Sequence, residues 1–186
     1  MSNKLKQNLD LALSNATRLS NKVLIDGKLT SAKSSKKIKV INPSTGEEIG
    51  EAPQCSKADV DAAVISSEVA FQKWKKIPAR ERGKMMTSAA RKLEERREEI
   101  ETLLALDTGN ALRTQAKPET AASIELTHMF AGLSGEIKGE NYPPNIADTI
   151  HYTTKDPIGV VCAIIPWNAP LFLTAAKIAP AIVAGN

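Results

Sequence analysis

Few residues in this 186-residue chain are equipped for covalent or acid–base chemistry. There are two cysteines, Cys55 and Cys162, and two histidines, His128 and His151. No CxxC pair occurs, so no Cys/His set stands at zinc spacing and no metal centre is expected. Nucleophilic catalysis needs an accessible thiolate beside a base. Cys55 falls in an early Pro-Gln-Cys-Ser loop, and Cys162 falls inside an apolar run where a small residue suits core packing. Neither is expected to act. Lys177 lies on an apolar helix and must reach a carbonyl, a carboxylate or water. Asn168 stands before Ala-Pro-Leu, which is good helix-capping chemistry. Two cysteines make no disulfide framework, so a reducing cytoplasm is the expected compartment.

These residues must be positioned by an alternation of helices and strands. Residues 1–20 are polar with leucines at 5, 9, 11, 13 and 19, and read as a mobile leader in preference to an amphipathic helix. Residues 23–29 form a strand turning at Asp26-Gly27, a strong hairpin signal. Residues 38–41 and 48–52 are short strands around the turn Asn42-Pro43-Ser44-Thr45-Gly46. Ser56 with Asp59 is a capping-box variant opening a helix with Val60, Val64, Ser67, Phe71 and Trp74 on one face. Pro78 ends it, and a second helix places Met86, Ala89, Leu93, Ile100 and Leu104 on one stripe before stopping at Gly109. The charged run 92–99 pairs with itself three and four residues apart, as a solvated face does. A third helix opens near Pro118-Glu119, carries Leu126, Phe130, Leu133 and Ile137, and ends at Gly139; His128 falls beside its apolar stripe, as a surface residue. Residues 149–154, including His151, are β-branched and aromatic, hence a strand. Residues 158–165 are continuously apolar, the pattern of a strand buried on both faces of a parallel sheet. Pro166 to Pro170 break that run, and residues 171–183 read as a buried helix.

Composition removes several function classes. Twenty-five basic against 21 acidic residues leave only +4, and nine of the basic residues fall within residues 1–40. With aromatics at 4%, no base-stacking nucleic-acid platform is expected. A 42% hydrophobic content with 25% charged residues is that of a globular protein, not of a disordered chain. The apolar stretch 158–185 is long enough for a membrane span, but Pro166, Asn168, Pro170, Lys177 and Pro180 count against one.

The final strand–turn–helix carries a specific string. It reads Gly159-Val160-Val161-Cys162-Ala163-Ile164-Ile165-Pro166-Trp167-Asn168-Ala169-Pro170-Leu171, then Lys177-Ile178-Ala179-Pro180-Ala181 and Gly185-Asn186. The general dinucleotide fingerprint G-x-G-x-x-G is absent. The string resembles the I-x-P-W-N-x-P segment and following helix of the aldehyde dehydrogenase superfamily. Upstream, Ile25-Asp26-Gly27, Asn42-Pro43-Ser44-Thr45-Gly46-Glu47, Val60-Asp61-Ala62-Ala63, Phe71 with Trp74, and Arg80-Glu81-Arg82 stand in that family's order, so the resemblance covers residues 23–186.

The resemblance implies an α/β fold, the N-terminal part of a Rossmann-like dinucleotide-binding domain with its sheet incomplete. It divides the chain into a polar leader (1–20), the hairpin, strands and three helices of the cofactor domain (21–139), the loop and strand of an oligomerisation arm (140–157), and the first buried strand, turn and helix of the core (158–186). It implies NAD or NADP as cofactor, an aldehyde as substrate, and a homo-oligomer, dimer or tetramer, with no nucleic-acid or membrane partner. Asn168 matches the side-chain amide of the family's oxyanion hole, and a neutral donor there suits a developing alkoxide. Ile164, Ile165, Pro166 and Trp167 would line the cofactor cleft through main chain and apolar contact. Ala169, Phe172 and Leu173 would border the substrate tunnel, and Ala169 stands where many relatives carry a large aromatic, implying a wider mouth. Members run to two or three times this length, and the family's general base and nucleophilic cysteine match nothing here. The chain alone is therefore expected to be inactive. Two other readings compete: a non-catalytic remnant pairing with full-length subunits through residues 149–154, and a helical domain with a C-terminal membrane anchor.

Overall fold

A computed structural model describes residues 3–186. The elements run α1 (Asn3–Leu19), β1 (Lys22–Ile25), β2 (Lys28–Ser31), β3 (Lys37–Ile41), β4 (Glu48–Pro53), α2 (Lys57–Trp74), α3 (Ala79–Glu95), α4 (Arg97–Thr108), α5 (Lys117–Gly132), β5 (Asn141–Tyr142), β6 (His151–Tyr152) and α6 (Pro170–Ala184). A single π turn (Leu112–Ala116) leads into α5, and a 3₁₀ turn (Leu133–Gly135) follows it. The strands form three two-stranded antiparallel sheets, β1–β2, β3–β4 and β5–β6. The mixed α/β character is as expected, and the sheets are small and incomplete.

Local signals explain most boundaries. The β1–β2 hairpin turns at Asp26 (φ 54°) and Gly27 (φ 69°), left-handed conformations that Asp and Gly tolerate, with Ile25 opposite Lys28. Ser56 caps α2 in a complete capping box with Asp59. Gly109 ends α4 at φ 72°.

Four expectations are corrected. The polar leader is a helix: α1 docks on α4 through Lys4–Glu98, Asn8–Glu98 and Asn15–Glu99 contacts, with Ala12 fully buried. The single long second helix is two, α3 and α4, broken at Arg96 (φ −107°, ψ 14°). The third helix stops at Gly132, seven residues before Gly139. Residues 158–165 form no ladder and lie largely exposed, Ile158 at 90% and Ile164 at 81%; Cys162 is exposed with them. The apolar pattern matches a buried strand, but burial requires neighbouring strands that the described residues do not supply.

The core gathers where α3, α5 and α6 meet: Met86, Ala131, Ala179 and Val183 are buried, with Phe130 and Ile182 against them. Of the α2 face, Phe71 and Trp74 are half-buried while Val60 and Val64 stay exposed. His128 on α5 is half-buried.

Asp59 also ties α2 to the segment after β2. Its buried carboxylate accepts from the Ser56 hydroxyl (2.7 Å), the Lys33 N–H (2.7 Å) and the Ser56 N–H (2.8 Å). These bonds, the Ser56 hydroxyl first, pull its pKa from 3.8 to about 2. A carboxylate with a lowered folded-state pKa contributes stability that is complete above the unfolded value and lost as pH falls through the folded one. Asp59→Asn is therefore expected to lower the melting temperature at pH 7, with the gap from the parent closing between about pH 4 and pH 2. Thermal melts of both proteins across that range check it; a gap independent of pH would remove the charge from the argument.

Candidate functional site

The segment, turn and helix that carry the specific string are held at both ends by distant residues. At the C-terminal end of α6, Trp74 Nε1 donates to the Ile182 carbonyl (2.9 Å). Arg82, buried at 8% exposure, donates through Nε to the Val183 carbonyl (3.0 Å) and through Nη1 to the Ile77 carbonyl (2.5 Å). A cation against the last carbonyls of a helix satisfies groups that lack intrahelical partners and complements the helix dipole. Burial lowers the Arg82 pKa from its ordinary value, but a guanidinium remains charged. Asn186 accepts through Oδ1 from the N–H groups of Ile158 (2.8 Å) and Gly159 (3.1 Å), fixing the start of the extended segment beside the end of α6.

At the other end, α6 begins after Ala169, whose backbone (φ −144°, ψ 62°) makes it the N-cap residue with no side chain to offer. Pro170 has no N–H. The next two amides, Leu171 and Phe172, both donate to Glu119 Oε1 on α5, at 2.9 and 3.2 Å. The Asn168 carbonyl receives a long contact from Asn110 Nδ2 (3.4 Å). The Asn168 side chain makes no hydrogen bond among the described residues and is exposed. Asn168 therefore does not cap α6; Glu119 performs that work from 52 positions away.

The predicted site residues run along segment 164–169 and into the first turn of α6. Ile164, Pro166, Trp167 and Asn168 are exposed, Trp167 at 85%, while Ile165, Ala169, Phe172 and Leu173 are half-buried. The main chain of residues 160–167 takes part in no hydrogen bond among the described residues. Such a segment, apolar with free peptide groups, fits one wall of a dinucleotide cleft. The α6 N-terminus offers no open anion site beside it, because the Leu171 and Phe172 amides already hold the Glu119 carboxylate.

A cavity of about 1040 Å³ lies elsewhere along the same segment, between α2 and α6, and is lined by Ile65, Val69, Val160, Val161 and Ile178 among others. Lys177 borders it and is exposed, so water satisfies its ammonium. No predicted cleft or tunnel residue lines this cavity. Among the described residues no group of three His, Cys, Asp or Glu side chains could hold a metal. Sequence reasoning missed Glu119, Asn110 and the side chain of Asn186. Their partners lie 27 to 58 positions away, beyond the reach of any local pattern.

Comparison with known proteins gives one answer. The model of the Aldehyde dehydrogenase family matches residues 29–186. An aldehyde dehydrogenase from Enchytraeus buchholzi is 36% identical over 167 residues, 88% of this chain and 33% of that protein. The cytosolic 10-formyltetrahydrofolate dehydrogenase of Homo sapiens is 35% identical over 184 residues, 96% of this chain and 20% of that protein. The crystal structure of Staphylococcus aureus betaine aldehyde dehydrogenase in complex with NAD+ superposes with a TM-score of 0.89 at 32% identity, covering 96% of this chain and 36% of that one. The chain thus spans about a third, or less, of the length of these proteins.

Proposed function

The chain belongs to the aldehyde dehydrogenase family, and on that premise we propose that it carries the oxyanion-stabilising amide and one cofactor-cleft wall of an NAD(P)-dependent aldehyde dehydrogenase. The observation that supports this best is the unengaged Asn168 amide, on a turn whose helix is capped by another residue. A side chain so placed is free to donate to an oxygen presented from solvent.

In this reading the reaction is oxidation of an aldehyde to a carboxylic acid, through attack by a cysteine thiolate that lies outside these residues. Carbonyl attack turns a neutral oxygen into an alkoxide, and the Asn168 amide donates to that oxygen as its charge develops. Ile164, Ile165, Pro166 and Trp167 bind and orient the dinucleotide through apolar surface and free peptide groups. That cofactor, NAD in the S. aureus complex, supplies the hydride acceptor when bound. Ala169, Phe172 and Leu173 follow directly on the turn and border the aldehyde's approach; the small Ala169 suits a bulky or aromatic aldehyde.

Oligomerisation is assigned to residues 140–157. Their β5–β6 hairpin carries Ile146, Ile150 and Tyr152 at 70, 83 and 64% exposure, apolar surface suited to a second copy of the subunit. Both cysteines are free and exposed, which suits the reducing cytoplasm; relatives bear cytosolic and mitochondrial names alike. No helix among the described residues is long and apolar enough to cross a membrane. A non-catalytic role in pairing with full-length subunits is the reading the following assay separates.

Neither thiol has a hydrogen-bonded partner among the described residues, so neither cysteine is activated by a neighbouring base there. The isolated chain is expected to form no NADH from a panel of aldehydes, whereas a subunit of full family length carrying it does. NADH above a boiled control from the isolated chain, or none from the longer subunit, would overturn the respective half of this reading.

A further inference from the structure

Helix α6 follows the Asn168 turn directly, so whatever fixes its first turn also fixes the turn. The local sequence supplies nothing for that purpose: Ala169 is the N-cap without a side-chain bond, and Asn168 is turned to solvent. The amides of Leu171 and Phe172 converge on a single oxygen, Glu119 Oε1. Glu119 sits in the first turn of α5, next to the fully buried Thr120, and α5 packs along α6. Its carboxylate therefore meets the positive ends of two helices at once, its own and that of α6. Asn110, in the loop after α4, adds the long contact to the Asn168 carbonyl.

We propose that Glu119 is a positioning residue for the oxyanion donor: by holding the first two free amides of α6 it sets where the Asn168 amide points. The proposal rests on the reading of Asn168 as that donor. Two consequences of the geometry support it. Because Glu119 caps the helix, Asn168 is released from the capping role its sequence position would otherwise give it. Because the α6 N-terminus already holds an anion, a cofactor phosphate would have to displace Glu119 to bind there, so this end serves the turn and not the cofactor's charge. Glu119 Oε1 is taken up by the α6 amides, so the role proposed for it is positioning and not contact with the reacting atoms. Its effect passes through a turn in which a displacement of about 1 Å lowers turnover by about 10²-fold.

A double-mutant cycle on active-site-titrated enzyme of full family length carrying this chain tests the proposal. Glu119→Ala is expected to lower kcat by about 10- to 100-fold with the KM for NAD within about threefold. Placed in an Asn168→Ala background, it is expected to change kcat by less than about threefold, because both changes then remove the same interaction. Glu119→Gln, which keeps an acceptor oxygen, is expected to recover most of the turnover lost in the alanine variant. A lowered melting temperature with kcat unchanged, or an equal fall in both backgrounds, would show Glu119 to be a structural cap only. Should Glu119→Ala fail to fold, the glutamine variant carries the same cycle: its smaller fall must vanish beside Asn168→Ala, and its persistence overturns the proposal. If Asn168→Ala alone keeps full kcat, the donor reading fails and takes the positioning role with it. If Asn168→Ala is impaired and Glu119→Ala is not, only the positioning role fails.

Discussion

Asn168→Ala, in a subunit of full family length carrying this chain, is expected to lower kcat by about 10²- to 10³-fold, the usual effect of deleting one oxyanion donor. The carbonyl oxygen gains its charge only as the thiolate attacks, so a donor aimed at it binds the transition state more tightly than the aldehyde. Cofactor affinity is expected to stay within a few-fold, because the proposed cleft wall uses the main chain and apolar side chains of residues 164–167, which the substitution leaves in place. A helix-capping asparagine would behave in the opposite way. Its loss would cost about 1 kcal/mol of stability and leave turnover per folded molecule nearly unchanged. The structure separates these cases in advance: Ala169 is the N-cap, and the first free amides of α6 bond to Glu119. The melting temperature should therefore move little while kcat collapses. Titrated kcat and thermal melts on one sample decide it, and a preserved kcat with a lowered melting temperature would return Asn168 to the capping role.

What was legible in the sequence had local causes. The Ser56–Asp59 box, the Asp26-Gly27 turn and the Gly109 stop each depend on residues within three or four positions, and each stands where the pattern places it. Asn168 was legible as a candidate donor, by type and by its surrounding string. Its freedom to donate was not, because that depends on a carboxylate on another helix. Residues 1–20 show the same limit. Their leucines gave a weak stripe, and the docking that makes α1 a helix comes from Glu98 and Glu99, more than 80 positions on. Those glutamates belong to the charged run read as paired with itself. Arg96–Glu99 and Arg97–Glu94 are such pairs, yet the same face also receives α1. The apolar run 158–165 failed for another reason. Its composition specifies a buried environment, and a strand becomes buried only when other strands flank it.

Gly83→Ala is expected to be strongly destabilising, and the cause is close approach of two backbones rather than backbone freedom. Gly83 is buried on α3 where it faces α5; a Cβ there would meet the Ser134 hydroxyl first and would also stand 2.7 Å from the Ala131 carbonyl oxygen and 2.8 Å from Ser134 Cβ. A main-chain carbonyl inside a helix has no rotamer to escape into, so the helices themselves must part. Overpacking of this kind costs about 1–3 kcal/mol, and the better helix propensity of alanine returns at most about 1 kcal/mol. With the obstacle a backbone atom, a net loss of about 2 kcal/mol is expected, or about 4–8 °C in melting temperature for a chain of this length. The effect should reach the site as well: α5 lies between α3 and α6 and carries Glu119, so parting α3 from α5 disturbs the clamp on the Asn168 turn. Gly132→Ala supplies the control with the opposite sign. Gly132 has ordinary helical angles (φ −64°, ψ −32°) and open space around its missing Cβ, so alanine there should raise the melting temperature slightly. Melts of the two variants beside the parent test the packing directly. Equal, small shifts for both would mean that α3 and α5 do not approach as closely as Gly83 allows.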